Sequence, residues 1–395
     1  ALPDRNTRRV GRFSPFISPA MKVFLQAIVG QILFNLYIFY RGKQALPPQK
    51  KWSIPFVLFF LIEWTTYFYG FFFHEDLPDH VMIPFLYFCG TWYVASIYLM
   101  LGLLTADLFR LTNRIRPWIP AFITTRSLRL KRFYYVFLLV VTAGLMMHGY
   151  YNVTHPVVTY QDIHIPKDVE GRDSLTIALI SDTHFGEMIG KKSAERFVTL
   201  CNAQRPDIII INGDIMDYES RFAERAHIED NLRQFHAPLG VYITLGNHEY
   251  RANRFAKLRW LQKTGGVLLI DSVVMPDSTF YLVGRDDATN KGRKPLSRLL
   301  EGVDKRKPVI VADHQPRFDE IVMNRCDLGL HGHTHNGQFW PYSWIIKLVY
   351  RCSYGYYKEG ASQFYISSGI GFAGPPYRIG TKSELAVIRV IFHRN

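Results

Sequence analysis

The chain has 395 residues, room for two units of ordinary domain size, and a formal net charge of +14. Residues 1–150 hold 16 Lys and Arg against 6 Asp and Glu, a balance of +10, which leaves +4 for residues 151–395. The basic half also carries the longest apolar runs, so the surplus points to a membrane and argues against nucleic acid as a partner.

Four apolar stretches come first, at roughly 23–40, 54–73, 82–104 and 133–151. Each is long enough, or nearly so, to cross about 30 Å of hydrocarbon. Trp52, Trp64, Trp92, Trp118, Tyr134 and Tyr150 supply the aromatic belts expected at membrane interfaces. The first loop carries Arg41, Lys43, Lys50 and Lys51, and the third carries Arg110, Arg114, Arg116, Arg126, Arg129, Lys131 and Arg132. The second, 74–80, has acids and no Lys or Arg. The positive-inside rule puts loops one and three in the cytoplasm, and both termini outside. An integral, multi-pass protein of bacterial inner-membrane type is expected, with an extracytoplasmic C-terminal domain. Arg5, Arg8, Arg9 and Arg12 run against that orientation unless Met21-Lys22 is the natural start, with residues 1–20 an extension. Within the spans, Glu63 and Asp107 are read first as groups hydrogen-bonding helix to helix.

The expected organisation is a tail and transmembrane anchor over 1–151, a linker over 152–174 with Pro156 and Pro166, and a second domain over 175–395. In that domain strands and helices alternate. LTIALIS (175–181), DIIIIN (207–212), GVYITLG (240–246), FYLVG (280–284), PVIVAD (308–313) and DLGLHG (327–332) read as strands, as do QFYISSG and ELAVIRVIF near the end. Residues 193–203 have helical spacing. This order implies an α/β fold with its chemistry at the strand ends.

Five of these strands run into donor residues. They lead to Asp182 and His184, to Asp214, to Asn247 and His248, to His314, and to His333 and His335. In an extended segment residues i and i+2 point the same way, so each Asp182/His184 and His333/His335 pair is expected to face one cavity. Carboxylate, amide and imidazole suit Zn, Mn, Fe or Ni, and no cysteine lies among them. Seven candidates (Asp182, His184, Asp214, Asn247, His314, His333 and His335) exceed what one ion needs. Two ions about 3.5–4 Å apart, sharing a carboxylate, use them all.

Together DTH, GDIMD, GNHE, the histidine before Gln315-Pro316, and GHTHNGQ resemble the calcineurin-like metallophosphoesterases, over roughly residues 175–392. GQFWP and the tail SSGIGFAGPPYRIGTKSELAVIRV are similar to the YkuE-like, membrane-attached branch. The resemblance implies a four-layer αββα sandwich, here preceded by an all-α bundle of about four transmembrane helices. It further implies two divalent ions: one held by Asp182, His184 and His335, the other by Asn247, His314 and His333, with Asp214 bridging. His248 matches the family's transition-state histidine, and the implied reaction is in-line attack of a metal-activated water on phosphorus. The sequence departs from the family at Asn336, where a small residue is common; no ligand is lost.

Neighbouring groups keep two readings each. Asp217 orients a ligand or caps a turn; Glu249 orients His248 or is solvated; His331 is read as core and Asp286-Asp287 as a loop. Arg378 is a candidate phosphate contact through its planar fork. Cys326 and Cys352 could pair, though nothing forces it. The segment 339–358 is rich in aromatics and bases, suiting an interfacial helix, a seal for an acyl chain, or an insertion on the domain's own core. The substrate expected is a phosphate ester, of a phospholipid or lipid-linked phosphate, with membrane lipids as partners. Two alternatives are a pyrophosphatase acting on a UDP-linked acylated glucosamine, and a scaffold without chemistry.

Overall fold

The computed structural model describes residues 19–73, 77–118 and 128–392. The N-terminal arginines, part of the second loop, and Arg126 lie outside the described residues. The chain forms two compact units, Ala1–Phe72 with Ala95–Thr142, and Phe73–Val94 with Ala143–Asn395. The units therefore do not divide at residue 151.

Among the described residues four long helices come first: α1 (Pro19–Ala45), α2 (Lys50–Phe73), α3 (Asp79–Ile115) and α4 (Leu128–Thr154). Among the described residues, α3 and α4 are long and apolar enough to cross a membrane, which supports membrane association. Phe133, Val140 and Met147 of α4 are largely exposed, as side chains facing lipid would be and those of a buried core helix would not. In the first unit Glu63 accepts from Asn35 Nδ2 of α1 at 3.1 Å. Asp107 accepts from Tyr37 Oη at 2.6 Å and from Arg110 at 2.9 Å, and it also pairs with Arg41. Both acids thus bond to side chains on neighbouring turns and helices, as expected.

The second unit holds two six-stranded mixed sheets. In chain order the strands are β1 (Val157–Ile165), β2 (Ser174–Ile180), β3 (Ile208–Asn212), β4 (Val241–Thr244), β5 (Val267–Leu268), β6 (Ser272–Val274), β7 (Tyr281–Gly284), β8 (Val309–Ala312), β9 (Leu328–His331), β10 (Gly355–Glu359), β11 (Ser362–Ile366) and β12 (Glu384–Phe392). One sheet runs β1-β12-β2-β3-β4-β5 and the other β10-β11-β9-β8-β7-β6. Strand alternation explains the layers. Ile177, Leu179, Ile208 and Ile210 meet Leu282, Ile310 and Leu330 of the other sheet. Their chain neighbours Ala178, Ile180, Ile209 and Ile211 face outward onto α5 (Lys191–Asn202), against Phe197, Val198 and Cys201. The outer face of the second sheet packs Val309, Val311, Phe364 and Ile366 against Phe318 and Ile321.

One expectation fails here. The stretch 152–174 is no linker, because it carries β1, parallel to β12 from Val157↔Glu384 to Ile165↔Phe392. Ile163 and Ile165 are buried in the core between the sheets. Pro156 and Pro166 bracket this edge strand, where a missing N–H is tolerated.

Candidate metal centre

The donor residues lie in the loops just beyond the strand tips. Three groups of ligand atoms come together: Asp182, His184 and His335; His184, Asp214 and His248; and Asp214, His314 and His333. The groups overlap: His184 belongs to the first two and Asp214 to the last two. Asn247 sits in the same turn system, since the next residue's N–H (His248) donates to Asp214 Oδ1 at 2.7 Å.

The geometry differs from simple strand alternation. β2 ends at Ile180 and β9 at His331, so neither donor pair is in a strand. Instead Asp182, His184, Asp214, His333 and His335 all take positive φ, between 47° and 71°. That region is uncommon for residues with a side chain, and such strain concentrates at functional sites. Glycines permit the crowding around them. A side chain at Gly246 would overlap the Asp214 carboxylate, and one at Gly332 would overlap Ser181 Oγ.

The donors fit cations. His184 Nε2 and His335 Nε2 face each other at 3.1 Å, and Asp182 Oδ1 lies 3.3 Å from His335 Nε2. Such spacing suits atoms that share an ion at about 2.0–2.1 Å. His314 Nδ1 donates to the Asn212 carbonyl at 2.8 Å, which leaves Nε2 bare toward the site. That Nε2 and Asn247 Oδ1 are buried without a hydrogen-bond partner. Asp214 Oδ2 is 3.1 Å from His314 Nε2, close enough for an ion pair but without hydrogen-bond alignment, as for two ligands side by side. Burial pushes His333 down to about 4 and His335 to about 3, so both stay neutral and able to ligate. Burial opposes ionisation of Asp214, but the imidazoles of His314, His248 and His184 outweigh it and hold the carboxyl well below the usual range.

The structure decides several open readings. Asp217 lies 3.0 Å from His248 Nδ1 and 3.4 Å from His184 Nδ1, and its carbonyl accepts from His248 Nδ1 at 2.9 Å. It therefore aims the other ring nitrogen of His248 at the centre. Glu249 is fully buried, not solvated. It accepts from the N–H groups of Asp214, Ile215, Met216 and Gly246 at 2.8–3.1 Å, and so shapes the turn carrying the bridging carboxylate. His331 is core, edge-on to Phe318, with Nδ1 donating to the Asp313 carbonyl. Asp287 is in a loop, as expected, but buried and bonded to Gln315 beside His314. Cys326 and Cys352 are free thiols.

Arg378 is a correction. It is fully buried, and its guanidinium donates to the carbonyls of His335, Ser368, Gly369, Gly371 and Lys382. A fork with five donors so occupied has none left for a substrate phosphate. Sequence reasoning also missed Asn212 and Ser181. Asn212 sends its side-chain amide to the Leu330 carbonyl across the sheets, while Ser181 Oγ donates to Asp182 Oδ2 at 2.5 Å. Neither has a motif of its own; each matters only through the residue it abuts.

Paired Asp/His clusters at the tips of a two-sheet α/β sandwich are the equipment of metal-dependent phosphohydrolases that hold two divalent ions. Residues 175–337 match the calcineurin-like phosphoesterase family, and the chain carries a metallophosphoesterase domain of that family. Relatives include a zebrafish (Danio rerio) transmembrane protein with metallophosphoesterase domain, 28% identical over 383 residues, covering 90% of this chain and 86% of that one. A metallophosphoesterase of Aquifex aeolicus is 29% identical, covering 59% and 89%. YkuE of Bacillus subtilis is 25% identical, covering 61% and 88%.

Proposed function

We propose that this chain is a membrane-anchored phosphoesterase with two metal ions, acting on a phospholipid or lipid-linked phosphate. The observation that carries the hydrolytic reading is the chain of three overlapping Asp/His groups, linked through His184 and Asp214, with five of their members in left-handed backbone. We assign Asp182, His184 and His335 to one ion, Asn247, His314 and His333 to the other, and Asp214 to both. Two such ions would neutralise the phosphoryl oxygens and supply a water of lowered pKa. His248, held through Nδ1 by Asp217, is set to donate from Nε2 toward the leaving oxygen. Glu249 keeps the Asp214 turn rigid throughout.

The lipid reading rests on a helix beside the centre, α6 (Tyr342–Val349). Trp344, Ile345, Leu348 and Val349 are exposed on it, Leu348 to 88%. The next residue, Tyr350, has its ring 6.4 Å from that of His333. An apolar helix face beside a phosphate-binding centre suits a substrate presented from a bilayer surface. The anchor is α1–α4 as four spans, with the first and third loops cytoplasmic, the catalytic domain extracytoplasmic, and an inner membrane of bacterial type as the setting.

The test compares purified wild type with Asp214→Asn on a lipid extract supplied with manganese or zinc, followed by phosphorus NMR. Disappearance of one phospholipid or lipid-linked phosphate with wild type alone supports the full reading. Hydrolysis of a soluble aryl phosphodiester without any lipid change removes the lipid substrate and keeps the chemistry. Inactivity on both, with metal bound, overturns the enzyme reading.

A further inference from the structure

Arg378 lost its expected place at the substrate, and its surroundings give it another. Its side chain gathers two loops that form one metal pocket. Nη1 donates to the His335 carbonyl at 3.2 Å, while Nη2 donates to Ser368 at 2.6 Å and Gly371 at 2.9 Å and lies 3.3 Å from His335 Nδ1. The second loop in turn grips Asp182: Ile370 N–H donates to Ser181 O at 2.9 Å and Gly371 N–H to Asp182 O at 3.0 Å. Gly369 lies against Asp182 Cβ. One buried cation thus fixes the backbone around Asp182 and His335, two of the four donors assigned to the first ion. Burial is its largest perturbation and lowers its pKa to about 10, so it remains charged at neutral pH.

The main chain of the same residue is fastened elsewhere. Arg378 N–H donates to the Gly149 carbonyl of α4 at 3.0 Å, and Asn152 Nδ2, one turn further along α4, donates to Arg378 O at 3.0 Å. Gly149 has no side chain because Ile379 fills that space. In the N-terminal half of α3, Thr91 Oγ1 and Tyr377 Oη are hydrogen-bonded at 2.7 Å, and Gly90 rests on Pro375. Gln338, from the GHTHNGQ stretch, closes the loop from the metal side by donating to Ala373 O at 3.1 Å and Pro375 O at 2.8 Å. Residues 371–381 are therefore bonded on one side to α3 and α4 and on the other to the donor loops.

We infer that Arg378 is a positioning residue through which α3 and α4 hold the Asp182–His184–His335 pocket in shape, so that the affinity of this one pocket for its ion depends on the helices. The inference rests on the ligand assignment proposed above. Among the described residues no bond from this strap reaches Asn247 or His314, and it meets His333 only indirectly, through the Asp182 carboxylate that accepts from the His333 N–H, so the second pocket is expected to respond less.

The experiment uses the full chain in detergent or nanodiscs, loaded with Mn²⁺, and follows metal content by elemental analysis and spin coupling by EPR. Loss of a supporting partner of a metal ligand weakens affinity about 10- to 100-fold. Arg378→Met is expected to keep one ion per chain after dialysis and to lose the coupled two-ion signal. Asn152→Ala, which keeps a good helix former and removes only the bond to Arg378 O, should shift the same ion in the same direction by less. Arg378→Lys should not restore the signal, because an ammonium cannot reach all five carbonyls. Two ions held with wild-type affinity in folded Arg378→Met overturn the inference, as does equal loss of both. If Arg378→Met does not fold, wild-type affinity in Asn152→Ala overturns it. Fewer than two ions in wild type would instead sink the ligand assignment.

Discussion

His248 and Asp217 show how one side chain sets the use of another. With Nδ1 engaged by Asp217, His248 keeps Nε2 3.9 Å from Asp214 Oδ2, inside the centre but outside bonding distance. We expect His248→Ala to lower kcat about 10²- to 10⁴-fold while metal content stays at the wild-type level. Stopped assays paired with elemental analysis check this, and loss of metal would make His248 a ligand instead. His314 gives a pH signature. In the metal-free protein burial disfavours its imidazolium, but Asp214 outweighs burial and lifts the pKa well above its ordinary value. The proton must leave before the ion binds, so metal affinity should rise with pH below that pKa, by up to about tenfold per unit. Without metal the sign for stability is opposite: this pair stabilises the fold most below about pH 6.5 and fades as pH rises through the elevated value. Calorimetry in buffers of different ionisation enthalpy should detect proton release on metal binding; a buffer-independent heat would rule it out. Glu249→Ala strands four buried N–H groups, at about 1–3 kcal/mol each, and is expected to prevent folding or lower Tm sharply.

At the scale of elements, α6 and β1 carry separate expectations. The outward face of α6 contributes little to the domain's own core, because Trp344 and Leu348 are exposed. Trp344→Glu with Leu348→Glu should therefore leave Tm nearly unchanged and reduce turnover of lipid in vesicles more than turnover of a soluble aryl phosphate. Equal losses on the two substrates would count against a membrane role for the helix. β1 is the reverse case, an edge strand whose inward residues complete the core. Ile165→Ala should cost about 2–5 kcal/mol, as a buried large-to-small change does, and denaturant unfolding measures it.

For the whole molecule, strain and binding are linked. Five left-handed donor residues hold costly backbone conformations, of order 1–3 kcal/mol each, that bound ions help to offset. Ions at about 100 times their dissociation constant add about 2.7 kcal/mol, so chelation should lower the melting temperature and re-addition restore it. An unchanged melting curve would mean that the site is rigid without metal. The orientation of the chain is tested by a C-terminal reporter active on one side of the membrane only. Activity in the extracytoplasmic compartment is expected, and cytoplasmic activity would reverse the topology.

What the sequence by itself determined are features written in local pattern. Apolar runs flanked by basic loops marked the long helices, and continuous apolar stretches ending in Asp, Asn or His marked β2, β3, β4, β8 and β9. Five motifs at those strand ends named the candidate donors that the structure brings together, because ligand chemistry restricts which residue types serve. Tertiary structure alone decided what depends on distant partners. β1 reads as a linker until β12 supplies its hydrogen bonds. The spacing of Asp182 and His184 points to strand alternation, yet left-handed turns bring them together, and backbone φ is set by the packing around them. Arg378 has the right fork for a phosphate, but whether a guanidinium faces solvent or five carbonyls depends on how residues far apart in sequence fold around it. Motif spacing fixes which groups are available; burial and hydrogen-bond partners, which are long-range, fix what each of them does.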